Sequence, residues 1–171
     1  MHGRRQGTLN AMPQEPPNHD SLLDFLRGGI LGPIQLGMPT TDLRKEFGDP
    51  DDVSIDERIW LYGSQESVNI QVAFYNNQVS GVSIYFWGLS DVSRIPTALI
   101  ASQWTITGRS RVKEFTDRMD GEEIEWRILE ELTFDEQLCV ALRSGVLCLW
   151  SNVPESEKLQ KIILTPDTLR A

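Results

Sequence analysis

Large apolar side chains recur at every second position in two neighbouring stretches of the chain, residues 68–74 and 82–86. A period of two is typical of a β-strand with one buried face, so the two stretches predict a β-hairpin. A three-residue loop at 76–78 places Val72 opposite Val82 and brings the large aliphatic side chains onto one face. A two-residue loop would put them on opposite faces, and we therefore predict the three-residue loop.

Three other stretches combine helical spacing of apolar residues with a residue that can cap the first turn and a glycine that can end the last one. The predicted caps are Ser21, Thr40 or Thr41, and Ser110, and the predicted stops are Gly28-Gly29, Gly48 and Asp120-Gly121. A strand is expected at 59–62, after the second helix, and a connecting helix is expected after Pro96. Helices and strands are thus predicted to alternate in groups along the chain.

Apolar stretches predict four more strands in the C-terminal part, at residues 124–129, 137–143, 146–150 and 159–164. A Ser144-Gly145 turn would pair Leu142 with Leu147 on a face that we predict to be core. Cys139 and Cys148 then lie diagonally on the other face. Diagonal neighbours are about 7 Å apart, which is generally too wide for a disulfide, so we expect both thiols to stay reduced.

This order of elements predicts an α+β fold with two similar halves, each a short helix followed by antiparallel strands. The halves are residues 20–88 and 110–171, joined by a connecting segment at 89–109. Residues 1–19 contain three prolines and no hydrophobic period, which indicates a flexible tail. Whether the two sets of strands form separate layers or join into one curved sheet is left open by the pattern.

Composition and charge narrow the classes of partner. Hydrophobic residues make up 40% of the 171-residue chain and the formal net charge is -9. A strongly acidic chain repels the phosphate backbone, so we expect no nucleic-acid partner, while long-range attraction favours a basic protein. No apolar stretch approaches the roughly 20 residues that cross a bilayer, and the first residues lack the apolar core of a secretory peptide. We therefore expect a cytoplasmic protein without a membrane partner.

Few side chains are suited to catalysis. Both histidines, His2 and His19, lie in the predicted tail, so the folded part lacks the usual base of a hydrolytic triad. Neither a phosphate-binding glycine loop nor a CxxC pair is present, and we expect no cofactor, no bound metal and no enzyme activity. An alternative is an enzyme that uses the carboxylates between Asp49 and Glu57, alone or with a metal. A solvated loop after the second helix explains that acidic group more simply.

Two groups of residues are candidates for binding a protein. The aromatic candidates lie on the hairpin face opposite the aliphatic one, and the acidic candidates open a longer acidic stretch. The candidate residues are Tyr75, Tyr85, Trp87, Glu122, Glu123 and Glu125, and the stretch continues with Glu130, Glu131, Asp135 and Glu136. Tyrosine and tryptophan are enriched in binding hot spots, and an acidic face attracts a basic partner. The alternatives are a buried core between the halves, a solvated charged face, and the interface of a homodimer.

One segment resembles a known family. Ile34-Gln-Leu-Gly-Met-Pro-Thr-Thr-Asp-Leu43, followed by Phe47-Gly-Asp-Pro50, resembles the opening of the β-lactamase-inhibitor-protein-like folds, which include the small lipoproteins of outer-membrane assembly. In these proteins the motif leads a helical segment into an antiparallel sheet. They are mostly binders, including inhibitors, assembly factors and immunity-like bacterial proteins. The resemblance implies binding rather than catalysis. Together with the negative charge and the aromatic candidates, it favours a non-catalytic module, of the immunity or inhibitor type, that neutralises a basic partner.

Overall fold

The computed structural model describes residues 21–63, 68–86 and 106–168, and within these ranges it contains three α-helices and eight β-strands. The helices are α1 (Ser21–Gly28), α2 (Thr40–Phe47) and α3 (Val112–Gly121). The strands are β1 (Asp52–Val53), β2 (Ile59–Gly63), β3 (Val68–Tyr75), β4 (Gln78–Phe86), β5 (Trp126–Ile128), β6 (Leu138–Leu142), β7 (Leu147–Ser151) and β8 (Lys158–Leu164). The predicted tail and the predicted helix after Pro96 lie outside the described residues. No helix within the described ranges is long and apolar enough to cross a membrane.

All eight of these strands belong to one antiparallel sheet, in the order β1-β2-β3-β4-β8-β7-β6-β5. The α+β class is therefore confirmed, and the two sets of strands join instead of forming separate layers. The junction is the pair β4–β8, in which Val82 lies opposite Leu164 and Tyr85 lies opposite Lys161. The last strands of the two sets, β4 and β8, thus pair with each other at the centre of the sheet.

The main core lies between the three helices and one face of the sheet, which we call the helix face. Leu22, Phe25 and Leu26 of α1 are fully buried there, because the spacing of these residues places them on one side of that helix. In α3, Phe115 packs edge-on against Trp150 of β7, with ring centroids 5.1 Å apart. Trp150 Nε1 also donates a hydrogen bond to the backbone oxygen of the residue at position 110, at 2.7 Å.

The other face of the sheet, which we call the second face, carries a smaller buried cluster. Its buried members are Leu129, Cys139, Ala141 and Leu147, with Leu149 and Ile163 partly buried beside them. The strands β6 and β7 are therefore apolar on both sides. Such strands read as nearly continuous hydrophobic runs, which weakens the alternation that would otherwise indicate the face of each residue.

The predicted ends of the three described helices are confirmed, and a left-handed glycine follows α1 and α2, whereas α3 ends at Gly121 without one. The predicted caps of α2 and α3 are wrong. Gly29 adopts a left-handed φ of 74° after α1, and its N–H donates to Phe25 O at 2.7 Å. Neither threonine caps α2, which follows Pro39 without a side-chain cap. Ser110 Oγ accepts a hydrogen bond from Thr107 N–H instead of capping α3. The first turn of α3 is satisfied from a distant loop, since Val112 N–H donates to Glu157 Oε2 at 2.8 Å.

The first hairpin has the predicted register but not the predicted loop. Val72 lies opposite Val82, as expected, yet the turn contains only Asn76 and Asn77. Both asparagines have positive φ, 50° and 58°, as the preferred two-residue hairpin turn requires. A β-bulge restores the register: Phe74 pairs with Val79 and Ala73 with the residue at position 81, so position 80 is the extra residue.

The second hairpin is shifted by one residue from the prediction. Val140 lies opposite Cys148, and Leu142 N–H donates to the backbone oxygen of Val146, so the loop contains the three residues 143–145. Leu142 and Leu147 therefore lie on opposite faces, and the prediction that they share the core face is wrong. Cys139 belongs to the second face and Cys148 to the helix face, and both are free thiols.

Candidate interaction surface

The predicted aromatic candidates do not form one cluster. Tyr75 is 69% exposed beside the β3–β4 turn, whereas Tyr85 is half-buried and lies opposite Asn69 near the other end of these strands. Six residues of extended strand separate Asn69 from Tyr75, which corresponds to roughly 20 Å. Trp87, the third candidate, lies outside the described residues. The two described tyrosines therefore cannot contact the same small group on a partner.

The acidic candidates after α3 are largely neutralised by arginines. Glu122 forms ion pairs with Arg118 at 2.7 Å and with Arg27 at 3.4 Å. Glu125 pairs with Arg143. Glu123 is exposed, in a left-handed backbone conformation with φ 56°. These three residues lead into β5, four strand spacings or about 19 Å from Tyr85 on β4, so the structure does not bring the acidic and aromatic candidates together.

Several carboxylates between Asp49 and Glu57 are engaged in local contacts. Asp51 Oδ2 accepts the Gly63 N–H at 2.7 Å, and Asp49 pairs with Arg44 at 2.9 Å. The hydroxyl of Ser54 donates to Asp56 Oδ1 at 2.7 Å and lowers the pKa of that carboxyl group, which is opposite to the change that a general acid needs. Within the described ranges, no group of three or more acidic, cysteine or histidine side chains converges on a possible metal position.

A different surface lies at the β5 edge of the sheet, in residues 130–136, which we call the acidic loop. Its two apolar residues are exposed, Leu132 by 38% and Phe134 by 56%. Four exposed carboxylates flank them, from Glu130, Glu131, Asp135 and Glu136. None of the four has an ion-pair partner among the residues that the structure describes. Negative charge without an ion-pair partner in the described ranges and exposed apolar surface thus occur together.

The acidic loop is held by hydrogen bonds at both ends and in its middle. Thr133 Oγ1 donates to Leu129 O at 2.9 Å and accepts the Cys139 N–H at 3.1 Å. Gln137 exchanges backbone hydrogen bonds with Phe134, at 2.8 and 3.2 Å, and its side-chain Nε2 donates to Leu132 O at 2.8 Å. These bonds fix the backbone that carries the exposed side chains, so little ordering entropy is left to lose when a partner binds.

Sequence reasoning had singled out the charges of this loop but not its apolar residues. Leu132 and Phe134 are two positions apart between two pairs of acidic residues. A loop that carries large apolar side chains without a buried neighbour for them is a signal of binding, because solvated loops seldom present a Phe. The exposed apolar residues can be recognised as a binding feature only once the fold shows that the segment is a loop at the edge of the sheet.

Comparison with known proteins assigns neither a family nor a function. No protein-family model matches the chain, and no curated protein matches its sequence. A solved structure with a related arrangement is an extracellular protein containing an SCP domain from Bacillus anthracis str. Ames. The match covers 95% of this chain and 51% of that one, with 8% sequence identity and a TM-score of 0.45. A likeness at this level says nothing about function.

Proposed function

We propose that this protein is a non-catalytic binding module of the inhibitor or immunity type, which docks a basic protein through the acidic loop. The observation that carries the proposal is the pairing of Leu132 and Phe134, both exposed, with four carboxylates that lack ion-pair partners among the described residues. The resemblance of residues 34–50 to a family of binders points to the same class of function.

Charge and apolar surface have separate roles in such a contact. The four carboxylates, in a chain whose net charge is -9, attract a basic surface and speed its approach. Phe134 and Leu132 then supply apolar area that leaves water on binding, which is the usual source of affinity at the centre of an interface. The competing hypothesis of a carboxylate enzyme is less well supported, because the carboxyl groups of Asp49, Asp51 and Asp56 are engaged in local contacts.

The test uses a library of random 12-residue peptides displayed on phage and selected on the immobilised full-length protein. We expect selected peptides to combine Lys or Arg with large apolar residues. Two variants remove the two contributions separately: Leu132→Ala with Phe134→Ala, and a charge variant in which Glu130, Glu131 and Glu136 become Gln and Asp135 becomes Asn. Each should weaken binding of the selected peptides at least about tenfold.

The matched control is Ile55→Ala. Ile55 is fully exposed on the loop between β1 and β2, at the opposite edge of the sheet, and acidic residues also flank it there. Its removal should leave peptide binding unchanged. Added salt should weaken binding to the wild type more than binding to the charge variant. Selection without basic residues, or equal affinity for wild type and the Leu132/Phe134 variant, would refute the proposal.

We also propose that the chain consists of two similar halves related by an approximate two-fold axis. The order of the strands supports this, because each half runs through its four strands in sequence and the last strands, β4 and β8, meet antiparallel. A two-fold axis between these strands would produce that order. An experimental structure should allow the four strands of residues 20–88 to be superposed on those of 110–171, and a failure to superpose would contradict the proposal.

A further inference from the structure

A depression of about 260 Å³ lies at the junction of the two sets of strands. Its lining combines aromatic and aliphatic surface with one amine and two amides: Tyr85, Phe86, Leu149, Lys161, Gln137 and Gln160. Small-molecule sites have this character, since apolar walls bury the body of a ligand and a few polar groups orient it.

The pairing of the strands explains why three of these residues, Tyr85, Lys161 and Leu149, meet. Asn69 lies opposite Tyr85, Tyr85 opposite Lys161, Lys161 opposite Leu149, and Leu149 opposite Cys139. Five residues from five adjacent strands thus form one row, with neighbours about 4.8 Å apart. Cys139 belongs to the second face, so the row runs across that face and crosses the β4–β8 junction. The depression therefore spans the β4–β8 junction and lies beside a β-bulge of the β7–β8 pair, where Gln160 is the extra residue.

Lys161 is the positively charged residue of this row. Its Nζ lies 5.6 Å from the centroid of the Tyr85 ring, and the side chain is half-buried. No carboxylate of the described residues lies within ion-pair distance of it, although the protein is strongly acidic. Burial raises the pKa of the Cys139 thiol to about 11, and the nearby ammonium charge of Lys161 partly opposes this increase. A half-buried cation without an anion is suited to receive one.

Each of the two neighbouring side-chain amides has an N–H group that can donate to a ligand. Gln160 Nε2 donates one hydrogen bond to Ser151 Oγ at 2.8 Å, and Gln137 Nε2 donates one to Leu132 O at 2.8 Å. A primary amide has two N–H groups, so each of the two residues retains one. Together with the three donors of Lys161, these groups can surround the two oxygens of a carboxylate.

We propose that this depression binds a small monocarboxylate with an aromatic or apolar body. One lysine balances one negative charge, whereas a phosphate dianion would leave charge uncompensated. The body of the ligand would pack on Tyr85 and Leu149. The inference is separate from the docking function of the acidic loop, because Lys161, Tyr85 and Leu149 would hold the ligand and none of them belongs to that loop. Gln137 contacts both, since it lines the depression and its side chain donates to Leu132 O.

Another depression with basic residues, beside the start of α3, is a weaker candidate. It is lined by Arg109, Arg111 and Lys158, but also by Glu157, whose carboxylate already accepts the Val112 N–H at 2.8 Å. The carboxylate of Glu157 thus already occupies the position that a bound anion would take. No carboxylate of the described residues fills the corresponding position beside Lys161.

The experiment is a titration of the ¹⁵N-labelled full-length protein with phenylacetate, followed by backbone amide chemical shifts. Phenylacetamide, the neutral isostere, is titrated in parallel. We expect saturable shifts centred on Tyr85, Leu149 and Lys161, and an affinity for phenylacetate at least about tenfold higher than for phenylacetamide. Lys161→Met should reduce phenylacetate affinity by at least about tenfold. Lys158→Met removes the same charge from the same strand and should leave the affinity unchanged.

Thermal unfolding of both variants checks that the fold is retained. Inorganic phosphate, titrated separately, should bind more weakly than phenylacetate. Three results would each overturn the inference: no saturable shifts with phenylacetate, equal affinity for the acid and the amide, or equal affinity of the two lysine variants. Loss of peptide binding by the acidic-loop variants would bear only on the docking function, so the two proposals can fail separately.

Discussion

The adjacent glycines at the end of α1 should respond to alanine in opposite directions. Gly28 is the last helical residue, it is exposed, and an added Cβ would meet no atom within 4 Å. Gly29 has φ +74°, and a Cβ there would lie 2.9 Å from Leu164 Cδ2 and 3.8 Å from the backbone oxygen of Ser144. Gly28→Ala therefore changes only chain entropy, whereas Gly29→Ala adds both backbone strain and a steric overlap.

The structure sets the size of both effects. Gly28→Ala should stabilise the protein by roughly 0.5–1 kcal/mol, because glycine in a helix loses more backbone freedom on folding than alanine does. Alanine in the left-handed region costs roughly 1–2 kcal/mol, and relieving the overlap with Leu164 should cost about 1 kcal/mol more. Gly29→Ala should thus lower the free energy of unfolding by about 2–3 kcal/mol. For a chain of this size, about 3 kcal/mol between the variants corresponds to roughly 6–12 °C in Tm.

Guanidinium unfolding followed by far-UV circular dichroism measures both free energies, with equal m-values as the sign that the unfolded states are comparable. A third variant, Gly29→Asn, separates the two costs, because asparagine tolerates positive φ but carries the same Cβ. It should recover part of the stability lost with alanine. If Gly29→Ala were as stable as Gly28→Ala, the junction between α1, the β6–β7 turn and β8 would not be packed as described.

Three further outcomes follow from individual contacts. Glu157→Ala should lower the free energy of unfolding by about 1 kcal/mol in urea titrations, because it removes the acceptor at the first turn of α3. Burial raises the pKa of Tyr62 to about 12, from 10 in the unfolded chain, so its contribution to stability is complete below pH 10 and is lost as pH rises toward 12. Urea midpoints measured from pH 9 to 12 should therefore fall less steeply in Tyr62→Phe. Burial raises the pKa of Cys139 to about 11 and that of Cys148 well above 9, so both thiols should react with a thiol-specific disulfide reagent at pH 8 only in denaturant.

Local patterns predicted the elements well because each depends on nearby residues. Alternation marked β3 and β4, and glycines with positive φ ended α1 and α2. The strand β1, Asp52–Val53, was missed because two residues are too few to show a period, and it forms only through its pairing with β2. Elements that exist through tertiary contacts alone cannot be found in a local pattern.

The two hairpins show why register is harder to predict than the strands themselves. In the first hairpin, the apolar pattern correctly predicted that Val72 lies opposite Val82. It could not show that the extra residue forms a bulge in β4 instead of a third residue of the loop. In the second, consecutive residues of β7 are apolar, since Cys148 and Trp150 face the helices and Leu147 belongs to the second face. Alternation then carries no information, and the turn, with Gly145 at φ 84°, decides the register.

The candidate surface was hidden for a related reason. Glu122 and Glu125 resemble the carboxylates of the acidic loop in sequence, but arginines pair with them. Arg118 is four residues from Glu122, whereas two other partners are distant along the chain: Arg27 is 95 residues from Glu122, and Arg143 is 18 from Glu125. Only the fold brings these partners together. It brings no cation to the acidic loop from the described residues, and it leaves Phe134 exposed there. Composition shows how much negative charge the chain carries, whereas the fold determines which part of that charge is available to a partner.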